Sequence, residues 1–208
     1  MVRTRCYGSA AAALLALVAT APARAEPWLE LRAGPGLVSG NFEYETPYTT
    51  ESGEPSAIRG HDGLIGAGLE LDGIAGLPIG PELGVGLLGH AEFAHYVEAV
   101  NLDYDTVHEH LLVGIGPTLA LRPGRAMKLG ASLEYTHAAL ATSGIDLGAV
   151  DNVYEPENVS GIGASLSLAC CAEPGFGFAM AGRAAWLSGK HTVFIPVTFA
   201  VLATYSTW

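Results

Sequence analysis

The sequence predicts an all-β fold of eight antiparallel strands that run up and down in order and close on themselves. Three observations predict it. Apolar and polar residues alternate with a period of two in eight separate segments, short connections rich in Pro and Gly alternate with long polar ones, and many of the 27 glycines recur within the alternating segments. Successive side chains of a strand point to opposite faces, so a period of two means one oily face and one polar face.

The first strand, Leu29 to Ser39, keeps Glu30, Arg32, Gly34 and Gly36 on one parity, and the second, Leu64 to Gly73, does the same with Gly66, Gly68, Glu70 and Asp72. The third, Leu83 to Val97, sets Gly84, Gly86 and Glu92 against an opposed Phe93. In the fourth, Glu109 to Arg122, the residues Leu111, Val113, Ile115, Leu119 and Leu121 oppose His110, Gly114, Gly116, Thr118 and Arg122. The fifth, Met127 to His137, opposes Met127, Leu129, Ala131, Leu133 and Tyr135 to Lys128, Gly130, Ser132, Glu134 and Thr136. The sixth runs from Val159 to Cys171 with Gly161 and Gly163 in step, and the seventh, Phe176 to Leu187, separates Phe176, Phe178 and Trp186 from Arg183. In the eighth, Val193 to Tyr205, the residues Val197, Phe199, Val201, Ala203 and Tyr205 share one parity.

Short turns are expected around Leu77 to Gly80, Arg122 to Arg125 and Ala172 to Gly175, where Pro and Gly supply the dihedral angles a turn needs. Long loops are expected from Gly40 to Gly63, Glu98 to Thr106 and Leu140 to Asn158, with a shorter one around Ser188 to Thr192. Outside the N-terminal region no apolar run approaches the roughly 20 residues of a spanning helix. The regular alternation of turn and loop instead fits strands that cross a bilayer, with turns at one surface and loops at the other. Unpaired backbone groups cost several kcal/mol each in hydrocarbon, so such a sheet must close. The expectation is therefore an eight-stranded antiparallel up-and-down transmembrane β-barrel over residues 26–208, with leucines, valines and aromatics toward lipid. A soluble lipocalin-like barrel, the rival with the same strand count, would show the opposite polarity.

Residues 1–25 read as a cleaved signal peptide: Arg3 and Arg5, an apolar run from Ser9 to Thr20, then Ala23-Arg24-Ala25 as the cleavage site. With Arg3, Arg5 and Arg24 removed from the 10 basic residues, 7 remain against 21 acidic ones, a formal charge of −14. That charge argues against nucleic acid as a partner. Cys6 leaves with the signal, and the adjacent Cys170 and Cys171 imply neither a disulfide framework nor a metal set.

Eight strands enclose a lumen that side chains just fill, so no water-filled channel is expected. Glu30, Arg32, Glu70, Asp72, Lys128, Glu134 and Arg183 fall on the inner parity as a lumenal ion-pair network. Glu92, Tyr96, His108 and His110 form a further polar cluster if the third and fourth strands make a regular hairpin, with Tyr96 opposite His108 and Ala94 opposite His110. Two imidazoles, a phenol and a carboxylate have the chemistry to bind a divalent metal or move protons, but a hydrogen-bonded plug is the favoured reading, and no catalytic residue, metal or cofactor is assigned. The acids Glu43, Glu45, Glu51, Glu54 and Asp62, and the loop Asn101 to Asp105, read as a solvated acidic surface, because the glycine and glutamate spacing of a calcium loop is missing.

On this architecture the chain resembles the small outer-membrane barrels of the OmpA/OmpX type over essentially all of residues 26–208. The resemblance implies residence in a Gram-negative outer membrane, insertion by the barrel-assembly machinery, contact with outer-membrane lipid and lipopolysaccharide, and a monomer. In such families the last strand ends on an aromatic residue; Tyr205 keeps the outward parity and Trp208 does not. Lipid A deacylases of the same size carry a His-x-Ser-Asn pattern, and His137-Ala138-Ala139 lacks the serine. The resulting expectation is a structural or surface-interaction protein with acidic extracellular loops and an unidentified extracellular partner. The alternatives are a membrane-embedded lipid-modifying hydrolase or acyltransferase, and a carrier of small apolar molecules.

Overall fold

A computed structural model describes residues 26–50, 52–100, 106–124, 126–143, 157–170 and 175–207. They form eight strands: β1 (Trp28–Thr49), β2 (Pro55–Pro78), β3 (Leu83–Val100), β4 (Thr106–Leu121), β5 (Lys128–Ser143), β6 (Glu157–Cys170), β7 (Gly175–Ser188) and β8 (Thr192–Ser206). Each pairs antiparallel with its neighbours in chain order, and β8 returns to β1, so the sheet is a closed barrel.

The parity of the sequence becomes the two faces of the wall. Leu37, Leu69, Leu133, Leu166, Phe176, Phe178, Trp186 and Phe199 point outward and are exposed, while Glu30, Glu70, Asp72, Glu92 and Glu134 point inward and are buried. This polarity is the reverse of a water-soluble barrel. An apolar exterior with the ionisable groups enclosed is stable only where the surroundings are hydrocarbon.

Three corrections concern extent and filling. The segment from Gly40 to Gly63 is not a loop: β1 and β2 stay in register from Gly40↔Leu64 to Thr49↔Pro55. The polarity of that stretch is that of a hairpin outside the lipid, where neither face must be apolar. Its tip is a tight turn in which the Thr50 amide donates to the Glu54 carbonyl at 2.9 Å and Gly53 supplies a φ of 81°. β3 and β5 likewise run past Val97 and His137, to Val100 and Ser143. The third correction is that the lumen is not lined by charged and small residues alone. Val38, Phe42, Leu64, Leu112, Leu140, Val159, Leu187 and Phe194 form an inward apolar cluster toward the loop end, and Trp28, Ile74, Leu88 and Ala120 form another at the turn end.

Gly116 and Pro117 mark a seam in the wall. The β4–β5 ladder pairs Ile115 with Tyr135 and resumes only at Thr118 with Ser132, because Pro117 has no amide hydrogen to give. Gly116 lies so close to β5 that a Cβ there would meet the Leu133 carbonyl oxygen at 1.9 Å, which is why only glycine fits.

Candidate functional site

Between the two apolar clusters lies a band of ionisable side chains, in two groups. In the group nearer the turns, Glu30 accepts from Arg32 Nε at 2.7 Å, from Lys128 Nζ, and from Thr204 Oγ1 at 3.2 Å. Lys128 also donates to Ser206 Oγ at 3.0 Å and sits 4.6 Å from the centroid of the Trp28 ring. A carboxylate that accepts from two cations and a hydroxyl has most of its lone pairs satisfied, the condition under which a buried charge is tolerated.

The second group is built across β2, β3, β4, β5, β7 and β8. Arg183 on β7 reaches Asp72 at 3.2 Å and Glu134 at 3.4 Å, and its Nε stands 3.9 Å from Glu70. His90 Nδ1 bonds Asp72 Oδ1 at 2.8 Å. Glu92 accepts from His110 Nε2 at 2.8 Å and from Thr198 Oγ1 at 2.8 Å, and His110 Nδ1 pairs with the Tyr96 hydroxyl at 2.8 Å. A carboxylate accepts only, so His110 donates to Glu92 from Nε2. Tyr96, His110 and Glu92 thus form one hydrogen-bonded chain, and Phe194 packs on the His110 and Tyr96 rings at 5.5 and 6.5 Å.

The structure thus places Glu92, Tyr96 and His110 in one hydrogen-bonded chain, with Ala94 opposite His110. His108 stands in β4, but its side chain lies outside the described residues, as do Glu51, the loop Asn101 to Asp105, Cys171, Trp208 and residues 1–25. Cys170 is exposed, with a free thiol. Sequence reasoning passed over His90, although it shares the inner parity of Glu92 two residues on. It also passed over Thr198, Thr204 and Ser206, whose parity on β8 is that of the lumen.

One outward-facing polar pair is separate from this band. His137 on β5 lies directly opposite Ser160 on β6, with Nδ1 to Oγ at 2.8 Å, and both are half-buried. Among the described residues no carboxylate bonds the other ring nitrogen of His137.

Wall and lumen together define the class: an eight-stranded transmembrane β-barrel with a filled interior. No family model and no curated protein matches the sequence. Solved structures match its fold. The outer membrane protein OprG from Pseudomonas aeruginosa gives a TM-score of 0.52 at 10% identity, over 88% of this chain and 96% of that one. Ail, the attachment invasion locus protein of Yersinia pestis, gives 0.51 at 12% identity, over 87% of this chain and 99% of that one. The fold is that of small outer-membrane barrels, and with its lipid-facing wall this chain is an outer-membrane protein.

Proposed function

We propose that the protein is a sealed barrel that acts through the surface it presents at its loop end, as a structural or interaction protein of the outer membrane. The observation that carries this reading is the apolar cluster across the lumen, in which Phe194 and Leu187 are 0% exposed and Leu140 and Leu112 are 1% exposed. Side chains packed to that degree support a lumen closed to ions and solutes, which puts the working part of the molecule on its outside. The β1–β2 hairpin supplies such a surface. Its strands are 22 and 24 residues long against 14 to 18 in the others, and its far end carries the exposed Glu43 and Glu54. That Ail, named for attachment and invasion, shares the fold supports a surface role. Residues 1–25 serve as the cleaved export signal, and the barrel-assembly machinery inserts a monomer whose acidic loops meet lipopolysaccharide and an extracellular partner. Reconstitution tests the reading: planar bilayers should show no conductance steps and liposomes no solute-driven swelling. Steady conductance would replace it with a channel.

One observation favours a second reading, a lipid-modifying hydrolase or acyltransferase. The Ser160–His137 pair sits on the lipid side of the wall, where a hydroxyl next to an imidazole has the parts of an activated nucleophile. The Tyr96–His110–Glu92 chain is less suited to this, since a lipid cannot reach groups enclosed in the lumen. Turnover of phospholipid or lipid A by the folded protein, lost in Ser160→Ala, would favour this second reading; equal turnover in both proteins would remove it.

A further inference from the structure

Glu70, His90 and Glu92 bring one ligand atom each to within 4.8 Å of one another at the inner wall of β2 and β3. The three residues are 3%, 5% and 1% exposed. Neither oxygen of Glu70 has a hydrogen-bond partner, and neither does His90 Nε2. A buried carboxylate with no donor is among the costliest arrangements a protein interior can hold. Here it lies directly opposite a second carboxylate, since Glu70 pairs with Glu92 across the ladder.

The surrounding charge does not resolve this. Glu70, Asp72 and Glu134 share the Arg183 guanidinium, while Arg32, opposite Asp72 across the ladder, bonds Glu30. Arg183 spends its hydrogen bonds on Asp72 and Glu134, and its Nε stands 3.9 Å from Glu70 without a bond. His90 sharpens the deficit. Its Nδ1 faces Asp72 Oδ1 at 2.8 Å and donates to it, while Nε2, without a partner, stands 3.8 Å from Glu92 Oε2. Unpartnered Glu70 oxygens and an unpartnered imidazole nitrogen, gathered beside a second carboxylate, form a set of donor atoms suited to a positive centre between them.

The geometry points to a divalent transition-metal ion of the zinc class at that centre, held by Glu70, His90 Nε2 and Glu92. Tetrahedral zinc with ligands at about 2.0–2.2 Å sets its donor atoms roughly 3.3–3.6 Å apart. The 3.8 Å between His90 and Glu92 is already close to this, and Glu70, with an oxygen within 4.8 Å of both, needs a shift of about 1.5 Å or less. The outer shell has the form metal-bound histidines use: Asp72 fixes the His90 ring, and Thr198 and His110 orient Glu92. An imidazole with two carboxylates suits zinc better than calcium, which takes six to eight oxygens.

On the sealed-barrel reading proposed above, the ion enters while the barrel forms. The test is to refold the full chain in detergent with zinc present, remove excess with EDTA, and count metal by mass spectrometry on protein that shows heat-modifiable migration. About one tightly held zinc per chain is expected, whereas zinc added after folding should be stripped by EDTA. His90→Gln keeps an amide to meet Asp72 but loses the imidazole donor, and Glu70→Gln removes a charged ligand. Each should lower zinc retention at least tenfold, and Glu43→Gln on the exposed hairpin should leave it unchanged. Cobalt in place of zinc gives a second readout on the unmodified chain, the visible absorption of a tetrahedral site. Folded wild-type protein that retains no zinc and gives no cobalt spectrum overturns the site and leaves a proton on His90 Nε2 as the positive centre. Retention that is equal in wild type and His90→Gln also overturns it.

Discussion

Leu166→Arg tests which way the wall faces. Phe176 and Trp186 on β7 are outward aromatics ten residues apart. At about 3.3 Å per residue and a tilt of roughly 40° they span about 25 Å of height, the apolar band of an outer-membrane barrel. Their midpoint is Ala181, and the adjacent Gly182 pairs with Leu166 on β6, so Leu166 stands at the midplane. It is 69% exposed, so it packs against little of the protein itself. The two environments therefore give different magnitudes for one substitution. In water, an arginine at so exposed a position changes stability by no more than about 0.5 kcal/mol. At the bilayer midplane it costs about 2–4 kcal/mol. Urea titration of folding in phospholipid vesicles, followed by the heat-modifiable shift on gels, reads the difference. Glu43→Arg serves as the control, since that side chain is 59% exposed on the hairpin beyond the band and should change stability little. A Leu166→Arg shift no larger than that of the control would refute the lipid-facing wall.

Two further expectations follow from the interior and the seam. Phe194→Ala removes the ring that packs on Phe42, Tyr96 and His110, and should cost about 3–5 kcal/mol in the same titration; a loss under about 1 kcal/mol would mean the apolar cluster is not packed. Gly116→Val sets a branched side chain where a Cβ already meets the Leu133 carbonyl at 1.9 Å, so the β4–β5 seam should fail to close and the folded fraction on gels should fall sharply. Gly182→Ala, where a Cβ meets nothing within 4 Å, should fold as the wild type does, and equal yields of the two variants would contradict the close approach.

The strands were legible because lipid enforces parity: Leu129, Leu133 and Tyr135 must face out and Lys128, Glu134 and Thr136 must face in, so the period of two is nearly unbroken on β5. Beyond the bilayer that constraint lapses. Around Asn41, Glu43 and Glu45 both faces of the hairpin can be polar, and the sequence there reads as a loop although the ladder continues. The apolar cluster was hidden for the opposite reason. At Leu187 and Phe194 the inward parity is as oily as the outward one, and alternation alone cannot separate a lumenal leucine from a lipid-facing one. Most of the ionisable band could be named residue by residue, but not its connections. Asp72 meets His90, and Glu70 meets Glu92, only through the β2–β3 register, and Arg183 joins them from β7, three strands from β2 around the closed barrel.

The buried charges have a role even where pairing recovers only what desolvation costs. A strand slipped by one residue turns every side chain to the other face. On β2 such a slip would carry Glu70 and Asp72 into hydrocarbon and bring Leu69 and Leu71 into the lumen. Each charge so displaced is penalised by up to a few kcal/mol near the midplane, more than a typical surface ion pair contributes. A slip by two residues keeps parity but separates Asp72 from His90 and sets Glu92 against a different partner on β2. The ion band thus discriminates against both kinds of misregister, whether or not it adds net stability to the correct one. The apolar cluster cannot do this alone, because leucines displaced from lumen to lipid lose little. The lumen thus requires its charges, to define the single register in which the β1–β2 hairpin is held at the end of the barrel.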